Sequence, residues 1–363
     1  MLGNLEGAEA PIGGIPTLLK RFRETWFSTP GRIVVSGLFL CTVILVGPGT
    51  LRWLLLDATF AGDAALCHQN GGACWAFIGT KLNLILFGAY PPELLWRPIA
   101  FVAMAIAIAI WCLNHARNHR MALFLWLAVA VIGFTLMGGG LLGLVPVDRA
   151  RWGGLPITIL ITIFGLAGAF PLGVLLALGC RSENPPLISA PCRLYVDIVR
   201  SIPAITVVFM TFAVIPLLLP DEIVFDKMFR AGVGLALFTA TYFSEALRGA
   251  LQALPVGQRQ AAASLGFGYW GSHAFVILPQ VIAKSLQPIA NIAIAFVKNS
   301  SLLIIIGLFD LLGSARASLY DGDWQGFYKE LYLFVGLIYL VICIYIQHYV
   351  ASVERERETR LYR

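Results

Sequence analysis

Long apolar runs set the first limit on what this chain can be. Stretches at 33–50, 98–113, 122–144, 154–178, 203–220, 232–250, 284–306 and 330–350 carry few charges, most of them near the ends. Each approaches the roughly 20 residues that a helix needs to cross a bilayer. Composition agrees: 58% of the 363 residues are apolar, 13% are charged and mean hydropathy is +0.80. Soluble domains hold about 45–50% apolar and about 25% charged residues. No stretch alternates with the period of a barrel strand, and a helix satisfies every backbone polar group within its own segment. The expected fold is an all-α membrane protein with about eight transmembrane helices. The first run is the least clean, because Gly47-Pro48-Gly49 and Arg52 blur its outer end.

Charge orients the spans. With eight helices and both termini cytoplasmic, 16 of the 26 Lys and Arg fall in inner segments, nine fall in outer ones and Lys298 lies within the seventh run. That bias has the sign of the positive-inside rule. The net charge of +6 then reads as anchoring to the inner leaflet and not as nucleic-acid binding. Residues 1–15 lack the basic and apolar regions of a cleavable signal. Residues 16–27, PTLLKRFRETWF, mix large apolar and basic side chains, as an interfacial helix does. Residues 1–32 are therefore expected to form a cytoplasmic arm.

Residues 33–151 contribute three spans with an outer insertion at about 51–97, and residues 152–350 contribute five, followed by a tail at 351–363. Gly138-Gly139-Gly140 and Pro146 punctuate the join. Cys67 and Cys74 bracket HQNGGA in the outer insertion. The topology puts that insertion in an oxidising compartment, where a disulfide is expected; two free thiols are the alternative. The other five cysteines are scattered and read as small buried hydrophobes or isolated thiols.

One polar segment interrupts the apolar core, LPVGQRQAAASLGFGYWGSHAFVILPQ at 254–280. Good helix formers run from Gln258 to Leu265, Gly266 and Gly268 break the helix, and an aromatic-rich second piece runs to Pro279, expected to close the insert. A connection of this length is uncommon without structure or a role of its own. GFGYWG at 266–271 matches G-x-G-x-x-G, but a dinucleotide site needs a preceding strand and a parallel sheet, and the flanks here are membrane spans. The chain holds no G-x-x-x-x-G-K-[ST] either.

Segment 254–280 resembles the EAA motif of the amino-acid-type ABC-importer permeases, which read close to LPKGQxEAAxALGxSxWxxFxxVILPQ. WGGLPITILIT (152–162), VRSIPAITVVF (199–209), YFSEALRGALQALP (242–255) and KNSSLLIIIGLFDLLG (298–313) resemble further family stretches in the same order. The resemblance covers about 152–315. The extra helices resemble the larger permease of the general L-amino-acid, or glutamate/glutamine/aspartate/asparagine, uptake systems. It implies a five-helix permease core preceded by three extra helices, in a bacterial inner membrane. It implies no enzyme activity and no cofactor in this chain: ATP is hydrolysed on separate ABC ATPase subunits that dock under 254–280. Further implied partners are a periplasmic amino-acid-binding protein and a second permease subunit, a different chain in preference to a second copy. Gly257, Gln260, Ala261, Ala262, Leu265, Gly266 and Pro279 would carry the ATPase coupling. The chain departs from the pattern at Gln260, where the family usually has Glu, and at Asn299, where it usually has Asp.

Charged residues within spans are functional candidates. Glu245 precedes Arg248 by three residues and shares its helix face; it either lines the pathway or pairs with Arg248 or Arg200. Lys298 either attracts a substrate carboxylate or snorkels at a helix break. Thr239 and Asn291 are further pathway candidates beside Thr206, Thr211 and Thr241, with ordinary interhelical hydrogen bonds as the alternative. The five histidines are dispersed, no catalytic constellation appears and no metal site is expected. A self-sufficient secondary carrier would instead need ionisable groups near the midplane, where only Glu245 and Lys298 stand out.

Overall fold

The computed structural model describes residues 26, 28–116, 118–140, 143–181, 183–218, 220 and 225–361. The arm at 16–27 therefore lies, apart from Trp26, outside the described residues. The described chain is helical, with two isolated bridges and no named strand among those residues. It divides into two compact units, Met1–Ala76 and Phe77–Arg363.

In the first unit, α1 spans Pro30–Leu51 and continues through a π-type turn, Arg52–Leu56. Thr29 starts it by accepting from the Arg32 amide at 3.4 Å, with Pro30 at the first helical position, where the missing N–H costs nothing. Asp57 ends it, its amide donating to the Arg52 carbonyl at 2.9 Å. The insertion then folds on itself. Asp63 caps the short α2, Ala64–Gln69, and Thr59 receives the Asn70 side chain at 3.0 Å while its amide donates to Ala73 O at 2.8 Å. Cys67 and Cys74, both buried, are joined in a disulfide with Cα atoms 5.6 Å apart.

The chain passes into the second unit within α3, Trp75–Phe87, an apolar helix of 13 residues. Then α4, Trp96–Asn114, and α5, His119–Gly138, pair with each other. Tyr90 OH donates to Met137 O at 2.8 Å and buried Arg97 donates to Val145 O at 2.8 Å, tying the start of α4 to the end of α5. Next come α6, Gly154–Gly179, α7, Pro186–Ser201, α8, Ala204–Ala213, and α9, Lys227–Gln252. The pair α6/α9 makes the most extensive helix contact in the unit. Gly154 begins α6 at φ +70°, where an added Cβ would fall 2.1 Å from Leu86 O; only glycine fits both the backbone and the space.

One apolar cluster joins Phe101 of α4, Val129 and Met137 of α5, Leu160 of α6, Val208 of α8, Leu235 of α9 and Phe296 further on. The motif-bearing stretch begins at 152, but packing divides the chain at 76/77: α4 and α5 are built into the same core as α6.

Among the described residues, six helices are long and apolar enough to cross a membrane, seven if α7 and α8, bent by 107° to each other, count as one. The 26-residue α9 does not meet that apolarity, because Arg230, Glu245 and Arg248 interrupt it. Residues 186–201, read from sequence as part of an inner connection, are instead a helix, with Leu187, Leu194 and Ile198 exposed. Pro186 opens it, Pro191 lies within it, and Arg193, Asp197 and Arg200 fall on one side.

The seventh run is not one α-helix. After α10, Val256–Ser264, and α11, Leu278–Lys284, comes α12, Leu286–Asn299, which tightens into a 3₁₀ segment, Ser300–Ile306. Seven residues is long for that geometry. Gly307 turns the chain in the left-handed region at φ +70°. Buried Asp310 then caps α13, Leu311–Ala317, through the Gly313 amide at 2.8 Å, and its other oxygen accepts from Tyr339 OH at 2.8 Å. The last helix, α14, spans Tyr328–Leu361 and contributes that tyrosine.

Candidate functional site

The 254–280 segment folds as a helix, a glycine turn and a second helical piece. Pro255 precedes α10. Its end is a Schellman cap: the Gly266 amide donates to Ala263 O at 2.9 Å and the Phe267 amide to Ala262 O at 3.2 Å, with Gly266 at φ +79°. Ala262 is the buried foot of this helix, 1% exposed, whereas Gln260, Ala261, Leu265 and Gly266 face outward and Gly257 is exposed near its start. Exposed Leu265, Phe267, Tyr269, Trp270 and Phe275 add a large apolar surface.

Pro279 does not close the insert. The chain stays helical from Tyr269, through a π-type turn at Ser272–Ile277, into α11. Pro279 is the second residue of α11, and the wide turn ahead of it accommodates the absent N–H and the ring. Gln280 bridges the pieces, its side-chain amide donating to Val276 O at 2.9 Å and to Gln258 Oε1 at 3.0 Å.

Behind α10 lies a cavity of about 640 Å³ between the end of α6, α7 and the last turns of α9. Its walls carry Arg181, Arg193, Arg200, Arg248 and Arg259 against Glu183, Asp197 and Glu245, so positive charge exceeds negative by two. Glu245 pairs with Arg248 (Nε to Oε2 3.1 Å) and with Arg200 at 3.5 Å, and Arg200 also lies over the Tyr242 ring at 5.5 Å. Arg193 donates to the Cys180 carbonyl at 3.0 Å. Glu183 accepts two bonds from Arg259 Nη1, at 2.6 and 2.7 Å, and a further one from Arg181. Its carboxyl is held below the usual range first by the Arg259 bonds and then by the charge of Arg181.

Arg181 also meets His273, whose Nδ1 lies 2.7 Å from Tyr269 O. A carbonyl only accepts and a guanidinium only donates. His273 is therefore the neutral tautomer, with Nδ1–H donating and Nε2 accepting. Burial is the main force pushing its pKa below 6.5, and Arg181 adds to it.

The other candidates lie apart from this cavity. Thr239 is buried, 4% exposed; Asn291 and Lys298 are exposed on α12, Lys298 where the helix tightens. Among the described residues, no group of His, Cys, Asp or Glu is placed to hold a metal ion. The sequence did not single out Glu183, Asp197 and His273 for this site. No local pattern marks them, since their partners come from other elements.

The chain thus combines apolar spans, a structured insert with an outward apolar face and an arginine-lined cavity behind it. The chain belongs to the family of binding-protein-dependent transport system inner membrane components, whose model matches residues 169–358. It is similar to the inner membrane amino-acid ABC transporter permease protein YhdY of Escherichia coli K12, 37% identical over 86% of this chain and 85% of the relative. It is also similar to the glutamate/glutamine/aspartate/asparagine transport system permease protein BztC of Rhodobacter capsulatus, 28% identical over 96% and 95%. A crystal structure of an amino acid ABC transporter with histidines matches with a TM-score of 0.48 at 25% identity, covering 56% of this chain and 92% of that one. The chain is thus an inner-membrane permease subunit of an ABC transporter, in which an ATPase is a separate subunit and a substrate-binding protein is a partner.

Proposed function

We propose that this chain forms half of the pathway for importing polar L-amino acids, with its five-helix core at 152–350 and both termini cytoplasmic. The observation that carries the reading is the exposed α10–turn–helix segment built directly onto the arginine-lined cavity. Gly257, Gln260, Ala261, Leu265 and Gly266 present the contact to the ATPase, and Ala262 and Pro279 shape its support. A closing ATPase pair moves this segment as a rigid body, and the cavity wall moves with it through Arg259. The excess of arginine suits a cargo that always carries a carboxylate, as do the amino acids named for YhdY and BztC. Glu245 offsets part of that charge next to the pathway, with Lys298, Thr239 and Asn291 as further contributors. The second permease is a different chain, and eight helices cross the membrane when α9 and the bent α7/α8 pair each count as one.

Affinity purification from the native membrane in mild detergent, followed by liposome reconstitution, tests this. The expected result is co-purification of a P-loop ATPase and a second permease, with amino-acid uptake that requires ATP and the binding protein. A chain that purifies alone and drives ATP-independent uptake would be a secondary carrier.

A further inference from the structure

The coupling helix α10 is joined by charge to a part of the chain 76 residues away. Arg259 projects from α10 to Glu183, between α6 and α7, and both Glu183 oxygens accept from one Arg259 nitrogen. Glu183 also takes Arg181, and Arg181 reaches His273 in the π-type turn of the second helical piece. One carboxylate and one guanidinium from the same short connection thus hold both halves of the coupling segment. Among the described residues, Glu183 is the acid with which Arg259 forms its ion pair. The helix α10 carries no acid of its own, since Gln260 occupies the position where a carboxylate was expected.

We propose that Glu183 is a positioning residue for energy coupling: with Arg181 it braces α10, through Arg259, and the π-type turn, through His273, against the end of α6. The chemistry follows from the geometry. Glu183 lies between two guanidinium groups, so its charge cancels a repulsion that would otherwise separate Arg181 from Arg259. A lone exposed ion pair contributes little, but a network that fixes one element against another sets how fully a push on one reaches the other. Without the brace, α10 still docks the ATPase through its exposed apolar side chains, yet its movement reaches α6 less completely. Hydrolysis then continues while transport falls. The inference rests on the proposed function for its transport consequence and on the fold alone for its structural one.

The test uses the assembled transporter in liposomes and, separately, the purified full chain. Glu183→Gln, Arg259→Gln and the double variant are compared with the unaltered protein for uptake, ATP hydrolysis and amide hydrogen exchange over 256–277. The expected result is a fall of about fivefold or more in amino acid moved per ATP for each single variant. The double variant should lose no more than Glu183→Gln alone, because Arg259 acts through Glu183, and exchange over 256–264 should quicken. Unchanged transport per ATP and unchanged exchange in Glu183→Gln overturn the brace. So do losses that multiply in the double variant. If the unaltered assembly moves no amino acid while Glu183→Gln still quickens exchange, the amino-acid reading fails and the brace stands.

Discussion

At residue scale, the turn that ends α10 depends on one backbone conformation. Gly266 has φ +79° and open space around the position of a Cβ, so Gly266→Ala meets no clash and is penalised by conformation alone, about 1–2 kcal/mol. Faster hydrogen exchange at the Gly266 and Phe267 amides and a loss of uptake are the expected signs, and Gly266→Asn should lose less, since asparagine tolerates this region better. His273 makes a second case. Its folded pKa lies below 6.5, so as pH falls the unfolded chain takes up this proton before the folded one. Stability is therefore lost on acidification below 6.5 and is unaffected well above it. The groups facing the ring are Arg181, Glu183, Arg259 and Tyr269; a proton on Nε2 would point an N–H at the Arg181 guanidinium. Thermal melts between about pH 8 and about pH 5 should show a steeper decline for the unaltered protein than for His273→Gln.

At element scale, what could be read from sequence was what is local. Apolar runs marked α1, α4, α5, α6, α12 and α14 because hydropathy needs no knowledge of neighbours. The helix–glycine–helix form of 254–280 was legible because Gly266 can adopt the conformation that a Schellman cap requires. Elements that depend on a partner were hidden. The helix α7 looked like a connection because of its charges, whereas Arg193, Asp197 and Arg200, all still exposed, gather on one wall of an open cavity. Pro279 looked like a terminator because nothing in sequence shows a π-type turn preceding it. The Glu183–Arg259 pair was invisible for the same reason. Helix crossings can be tested directly. A Cβ at Gly165 of α6 would lie 2.1 Å from Phe296 Cζ of α12, so Gly165→Ala should cost about 1–3 kcal/mol by overpacking. Phe296→Leu, which removes the ring, should recover part of that loss in a double-variant melt.

At the scale of the whole molecule, the family match begins at 169 while the compact unit begins at Phe77. Phe101 of α4 is fully buried, and Gly133 of α5 sits so close that an added Cβ would fall 2.2 Å from the ring. Phe101→Ala should therefore cost about 3 kcal/mol or more. Because its cluster includes Leu160 and Phe296, the lower melting temperature should appear across the unit as one transition, with no separate early melt of α4 and α5. The shared cluster also bears on grafting. A shorter permease cannot be recovered from this chain by trimming at residue 152. The cut would bare Trp152, Ile157 and Leu160 of a surface that α4 and α5 now cover. A chimaera that keeps 152–350 must bring a flank whose side chains match that face.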